Sequence, residues 1–314
     1  MEIIKGTHRL EKALSRSVVT IGNFDGVHIG HKSLLDEVLL KAKELDCCSV
    51  VMSFRPHPVK VLFPEREVPR IFDFEDQENV LERMGIDFFV QQPFSRELSR
   101  LSAERFLTEI VLKPLHPLAI VVGYDFAFGS NREGSLEFLH DFGKRMGIQI
   151  IVKPPIRYID KIVSSTLIRQ KIEEGNMKFV GQALDRPFFL DGVVERGAGR
   201  GRQIGFPTAN VFTKSEIFPR IGVYLTTTVV GSKSYPSITN VGKNPTFEEE
   251  NRRPVQVESH ILNFDADIYG DSIKVEFLDY IRAEKKFNSI ENLVEQIAAD
   301  VKTAKDMHAK MGGS

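Results

Sequence analysis

Glycine recurs at every fourth position of Gly22-Asn23-Phe24-Asp25-Gly26-Val27-His28-Ile29-Gly30-His31, and the last four residues set two histidines three apart. Gly22, Gly26 and Gly30 let a backbone approach a ligand closely, and the N–H groups of His28 and His31 can donate to one polyphosphate. The segment holds no serine or cysteine, so it offers stabilisation of phosphate charge and no nucleophile. It stands between an apolar strand-like run, 18–21, and a stretch of helical period, 31–45. That strand-to-helix context provides free helix N–H groups that bind anions. The plainer reading, a glycine-rich turn beside incidental histidines, leaves this placement unused.

A second candidate lies far along the chain, in Arg196-Gly197-Ala198-Gly199-Arg200-Gly201-Arg202-Gln203-Ile204-Gly205-Phe206-Pro207-Thr208-Ala209-Asn210. Arginines among free backbone N–H groups suit a nucleoside triphosphate. Thr208 and Asn210 are two residues apart, so on a strand they face the same way and can present oxygens to Mg²⁺, a hard cation that bridges phosphates. Taken alone, the arginine–glycine tract also suits RNA, although it lacks interleaved aromatics.

Elements of two kinds must position these residues. The 314 residues suggest about two domains at roughly 150 residues each. From 18 to about 184, strand-like runs (18–21, 49–54, 87–90, 119–122, 148–152) alternate with helical stretches (31–45, 78–84, 103–112, 136–145 and two short helices over 166–184). This is the pattern of a doubly wound α/β domain with a parallel sheet. Beyond residue 186 the period changes from 3.6 to 2, with strands at 188–194, 224–230, 235–241, 255–264 and 273–280 and a turn at Gly231-Ser232. That half reads as a small antiparallel β-barrel closed by a helix over 290–307, with Leu293, Ile297, Val301 and Ala304 as its buried stripe. The domains are thus expected at 1–185 and 186–314.

Composition narrows the function. Lys+Arg 42 against Asp+Glu 43 gives a net charge of −1, so no global basic field attracts nucleic acid or an anionic membrane. No run approaches the roughly 20 apolar residues of a membrane span, and no signal-peptide pattern opens the chain. Cys47 and Cys48 are adjacent and the only cysteines, which fits a reduced cytoplasm.

The HxGH motif after a first strand resembles the nucleotidyltransferase superfamily. Together with Val163-Ser164-Ser165-Thr166-Leu167-Ile168-Arg169 it resembles the FMN adenylyltransferase branch. The resemblance implies that Asn23, Asp25, Gly30, Ser164, Thr166 and Arg169 bind ATP, with His28 and His31 catalytic. Thr166 and Arg169 form an i, i+3 pair for the outgoing pyrophosphate, with Ser164 or Ser165 as helix cap, although SSTLIR alone reads as a plain N-cap. Phe54-Arg55-Pro56-His57-Pro58 and Gly123-Tyr124-Asp125-Phe126-Ala127-Phe128-Gly129 match the same family. They imply a flavin site at Phe54, His57, Pro58, Asp125 and Phe126, although PHP alone could be only a rigid loop. Family members often carry a basic residue where Ala127 stands.

In the second half, GxxIGFPTAN is similar to riboflavin kinase. The likeness continues through Asn240-Val241-Gly242-Lys243-Asn244-Pro245-Thr246-Phe247, Val257-Glu258-Ser259-His260, Tyr269-Gly270 and Ile281-Arg282-Ala283-Glu284-Lys285-Lys286-Phe287. It implies Glu258 as the base, Thr208 and Asn210 on Mg²⁺, Gly197, Arg202 and Tyr269 on ATP, and Arg282, Lys285 and Phe287 over the flavin. Without the resemblance Glu258 reads as a surface residue and Arg282 with Glu284 as a surface pair. Joined, the halves resemble the bifunctional riboflavin kinase/FMN adenylyltransferase (FAD synthetase) family. The expected substrates and products are riboflavin, FMN, FAD and ATP, with no nucleic acid, no membrane and no required oligomer. A flavin-sensing protein without turnover would account for Ala127, but His28, His31, Asn210 and Glu258 are all in place.

Overall fold

The apolar runs of the first half become one parallel sheet. The computed structural model describes residues 1–10, 12–197, 199–243 and 255–312, and the chain divides into two compact units, Met1–Ser165 and Thr166–Ser314. The first unit begins with β1 (Glu2–Ile4), β2 (Ser17–Ile21), α1 (Ile29–Glu44), β3 (Cys48–Arg55), α2 (Pro58–Leu62) and α3 (Phe74–Arg83). It continues with β4 (Phe88–Pro93), α4 (Arg96–Ser99), α5 (Ala103–Arg105), a π-helix at Phe106–Leu112 and α6 (Lys113–Leu115). It ends with β5 (Pro117–Gly123), α7 (Leu136–Met146), β6 (Gln149–Lys153) and the two-residue strands β7 (Arg157–Tyr158) and β8 (Lys161–Ile162).

The sheet order is β1-β4-β3-β2-β5-β6, and every pairing is parallel. The chain moves from β2 outward to β4 and then returns to lay β5 on the other side of β2. The loops after β2 and β5 therefore flank the point where strand order reverses, the usual ligand crevice of such sheets. Val19, Ile21, Val50, Met52, Ile120 and Val122 face one core with Leu107 and Phe142, while Val18 and Val121 meet Val38 of α1 on the other face. Burial on both faces is why these strands read as continuous apolar runs.

Three details differ from the sequence reading. β1 is too short to show an alternation, yet it pairs with β4 at Glu2↔Phe88. The helix expected at 78–84 starts at Phe74, where the Asp73 side chain accepts from the Asp76 N–H. The helix expected over 103–112 turns π-helical at Phe106 and runs on to Leu115; Pro114 has no N–H to continue an α-helical ladder there.

The second unit begins in α8 (Ser165–Glu173) and continues through α9 (Met177–Leu184), β9 (Phe188–Glu195), α10 (Arg200–Gln203), β10 (Ala209–Phe212) and β11 (Gly222–Val230). It ends with β12 (Lys233–Lys243), β13 (Val255–Ile261), β14 (Ser272–Arg282) and α11 (Ile290–Gly312). The order β10-β13-β12-β11-β14-β9 closes into an antiparallel barrel as β9 pairs back to β10. The five strands read from the sequence are thus joined by β10, whose four residues close the ring. Gly231-Ser232 is the two-residue turn expected, with Gly231 at φ 61.

The inner face of β11 is not the apolar one. Val223, Leu225 and Ile238 pack outward with Ala304 of α11. Inside, Thr226, Thr239, Ser259, Thr228 and Ser237 close a ring of five hydroxyls at 2.8–3.0 Å, each bonded to two neighbours. The ring explains how five fully buried polar side chains are tolerated.

Candidate active sites

The first candidate site is a turn whose carbonyls are held from behind. The Asn23 carbonyl accepts from Ser53 Oγ (3.1 Å) and Gln77 Nε2 (3.0 Å), and the Phe24 carbonyl from the same Gln77 amide (3.3 Å). The Asp25 carbonyl accepts from Ser165 Oγ at 2.9 Å. Phe24 (φ 50), Gly26 (φ 79) and Val27 (φ 40) occupy the left-handed region, which a β-branched valine adopts only when its surroundings impose it. The imposing contact is the Phe24 ring, wholly buried among Val51, Leu81 and Phe89. Asn23 is exposed. Asp25, expected on ATP, is 3% exposed and accepts from the Ile71 N–H at 3.1 Å, so its carboxylate braces the turn.

His28 caps α1: its Nδ1 accepts from the His31 N–H at 3.3 Å, which puts the neutral ring's proton on Nε2. The two rings stack at 3.7 Å, and His31 also meets Phe24 at 5.2 Å. The His31 Nδ1 is buried without a hydrogen-bond partner among the described residues. Burial, and secondarily the neighbouring His28, hold the His31 pKa well below 6.5. His31 is therefore neutral at neutral pH, so the stacked pair does not carry a double positive charge. A Cβ on Gly30, a residue implied to bind ATP, would lie 3.1 Å from the His28 ring.

Ser164 immediately precedes α8, and Thr166 and Arg169 stand on its first turns, in the second unit. At the sheet edge, Phe94, Phe54, Phe106, Phe128 and Phe126 form a continuous chain of ring contacts at 5.2–6.3 Å. This chain links Phe54 with Phe126, which the sequence places 72 residues apart. His57 caps α2 through Nδ1 (3.2 Å to the Val59 N–H), Pro58 is its first residue, and Asp125 is exposed. Arg55 pairs with Glu78 at 2.8 Å and lies over the Phe74 ring.

The second site lies on the barrel's strands. Asn210 of β10 and Asn240 of β12 both stand directly opposite Glu258 of β13, so the three side chains share one face. Gln256 Nε2 donates to Glu258 Oε1 (2.8 Å) and to Asn210 Oδ1 (3.2 Å). A Cβ on Gly197 would fall 2.3 Å from Asn210 Nδ2, and one on Gly201 would fall 2.4 Å from the Phe206 carbonyl and 3.3 Å from Thr208 Oγ1. Glycine is needed at both places for the loop to fold against the polar pair. His260 pins the loop by its Nδ1 contact with the Pro207 carbonyl (2.7 Å). Thr208 and Asn210 offer neutral oxygens beside a carboxylate, a donor set that fits Mg²⁺. Among the described residues no cluster of three or more His, Cys, Asp or Glu could hold a metal alone.

Arg202 and Tyr269 are exposed, and Arg196 lies 5.4 Å over the Tyr269 ring. Lys285 is exposed and Phe287 half-buried. Arg282 is otherwise engaged: its Nε donates to both Asp300 carboxylate oxygens at 2.9 Å and its Nη1 to the Ala283 carbonyl. Its partner is therefore Asp300 and not Glu284. Asn244, Pro245, Thr246 and Phe247, part of the kinase-like motif, lie outside the described residues. Gln77, Ser53, Gln256 and Asp300 carried no motif signal; only three-dimensional pairing makes them visible.

The turn at the sheet's reversal point and the polar ladder on the barrel define a chain with two phosphate-handling centres. A family model described as FAD synthetase matches residues 10–167, and one described as riboflavin kinase matches 184–308. The bifunctional riboflavin kinase/FMN adenylyltransferase of Bacillus subtilis (strain 168) is 34% identical over 301 residues, 95% of this chain and 94% of that protein. The enzyme of the same name from Escherichia coli (strain K12) is 33% identical, covering 98% and 97%. A crystal structure described as a macrolide-efflux protein from Streptococcus pneumoniae superposes with a TM-score of 0.86 at 33% identity, covering 96% and 98%. The chain belongs to the bifunctional riboflavin kinase/FMN adenylyltransferase family.

Proposed function

We propose that the family's two reactions are run on this chain by separate sets of residues, with 1–185 as the adenylyltransferase domain and 186–314 as the kinase domain. The reactions are phosphorylation of riboflavin to FMN by ATP, and adenylylation of FMN to FAD by ATP with release of pyrophosphate. In the kinase, Glu258 takes the proton of the ribityl 5′-hydroxyl as that oxygen attacks the γ-phosphorus and ADP leaves. Thr208 and Asn210 would hold Mg²⁺, which when bound neutralises charge on the phosphates. Gly197, Arg202 and Tyr269 contact ATP. Lys285 and Phe287 cover the flavin, and Arg282 orders their segment from its anchorage on Asp300.

In the adenylyltransferase, an FMN phosphate oxygen attacks the α-phosphorus and the bond to pyrophosphate breaks; the phosphate is already anionic and needs no base. Asn23 fixes the α-phosphate, and His28 and His31 donate hydrogen bonds to the charge that develops. Ser164, Thr166 and Arg169 hold the departing pyrophosphate. Phe54, His57, Pro58, Asp125 and Phe126 receive the flavin. The ligands are small molecules, the compartment is the cytoplasm, and neither nucleic acid nor an oligomer is required. Among the described residues no helix is long and apolar enough to cross a membrane.

The observation that carries this reading is the Asn210–Glu258 register with Gln256 on both, which sets a hard-cation ligand beside a carboxylate base. The test is chromatography of flavins after incubation with ATP and Mg²⁺, started in parallel from riboflavin and from FMN. FMN followed by FAD from the first, and FAD from the second, is the expected result. FAD from FMN alone would return Glu258 and its neighbours to a structural role.

A further inference from the structure

We infer that Gln77 is a positioning residue of the adenylyltransferase centre, acting through the backbone of the turn that carries Asn23; this rests on the ATP-site reading above. Gln77 stands on α3 and is 3% exposed. Its amide nitrogen has two protons and two acceptors in reach, the successive carbonyls of Asn23 at 3.0 Å and Phe24 at 3.3 Å. The reverse orientation would set the amide oxygen against two carbonyls, so the chemistry fixes which end faces the turn. The amide oxygen is buried without a partner among the described residues. A residue kept for packing alone would be apolar and would avoid that loss.

What Gln77 holds, together with Ser53 Oγ on the Asn23 carbonyl (3.1 Å) and the Val27 N–H on the Phe24 carbonyl (3.2 Å), is the direction of two peptide groups. A trans peptide is planar with C=O and N–H opposed, so pulling the Asn23 and Phe24 carbonyls toward α3 turns the N–H groups of Phe24 and Asp25 the other way. These amides belong to the loop after β2, at the reversal point of the sheet, where Phe24 keeps a left-handed φ of 50. The brace has a firm support: the next residue, Glu78, is bound by Arg55 at 2.8 Å and by Gln91 at 2.7 Å. One turn of α3 therefore fixes the loop after β2 through Gln77 and the loop after β3 through Glu78.

The experiment uses the full chain with Gln77→Met, which fills the volume and cannot donate, and Gln77→Glu, nearly isosteric and unable to donate when ionised. FAD formation from FMN is followed over a range of ATP concentrations, and riboflavin phosphorylation in the same preparation is the control for folding of the other unit. Both variants are expected to lose about tenfold or more in kcat/KM for ATP, the Glu variant more, with riboflavin phosphorylation unchanged. Wild-type kcat and KM in Gln77→Met overturn the inference. So does a loss that only follows the fraction of folded protein, with KM unchanged. If the Met variant does not fold, the Glu variant decides by the same criteria. His31→Ala run alongside separates the two levels of the argument: full FAD formation in His31→Ala sinks the ATP-site reading itself, whereas an inactive His31→Ala beside a normal Gln77→Met sinks only the role of Gln77.

Discussion

The two centres are built from different materials. At the sheet edge the turn is shaped through its backbone: three successive carbonyls are tied down from behind by Ser53, Gln77 and Ser165, and burial holds the His31 that follows well below its ordinary pKa. On the barrel the decisive atoms are side-chain oxygens, brought together because strand register sets Asn210 and Asn240 opposite Glu258. Each centre has a glutamine that donates twice, Gln77 to carbonyls and Gln256 to a carboxylate and an amide. A centre whose backbone is braced from behind is expected to fail at its buried supports as well as at the histidines. A centre made of side chains on rigid strands fails at the side chains themselves.

The largest expected effect breaks the comparison cleanly. Glu258→Ala should lower riboflavin phosphorylation by about 10²–10⁴, the range for loss of a general base, and leave FAD formation from FMN unchanged. His31→Ala should do the opposite, with a loss of about 10²–10³ in FAD formation, as for removal of one donor to developing charge. Steady-state rates for both reactions on both variants test this; a loss of both activities in either variant would mean that the centres are not separate.

A smaller effect sharpens it. Gly197→Ala brings a Cβ to 2.3 Å from Asn210 Nδ2, so the amide must move out of register with Glu258. Riboflavin phosphorylation should fall about tenfold, one hydrogen-bond-sized free energy, with a raised Mg²⁺ requirement. Gly30→Ala meets the His28 ring at 3.1 Å, which can give by tenths of an ångström, and the Val163 carbonyl at an ordinary 3.7 Å, so FAD formation should fall less. A Mg²⁺ titration of initial rates measures the first, and an FMN turnover assay the second.

The same contrast explains what the sequence disclosed. Both folds were legible because the longer strands and helices keep an apolar run or a hydrophobic period, and the first candidate site was marked because GNFDG and HxGH are contiguous in sequence. The supports were not. Gln77 falls just before the helix expected at 78–84, and its partners lie more than fifty residues away. Nothing local to Arg282 announces Asp300, eighteen residues on in another element. β10 escaped as a strand of its own because four residues cannot show a period, yet it brings Asn210 to Glu258. The hydroxyl ring runs against the usual alternation: Thr226 and Thr228 are polar yet face inward, where Ser237 joins their hydroxyls.

The smallest predicted effect concerns stability and belongs to the first unit alone. His31 is held neutral, with its pKa well below 6.5, by burial and by His28. In the unfolded chain the same imidazole takes a proton near pH 6.5. Below that pH the unfolded state binds more protons than the folded one, so stability falls as pH falls, by up to about 1.4 kcal/mol per pH unit, until the folded-state pKa is reached. Above pH 6.5 the two states bind alike and the contribution is flat. Hydrogen exchange of the β2 and β5 amides at pH 7.5 and 5.5 isolates this unit. Protection should drop at the lower pH in the wild type and drop less in His31→Asn, whose side chain does not titrate. An equal drop in both would place the proton uptake elsewhere and remove the neutral, desolvated His31 from the account of the first centre.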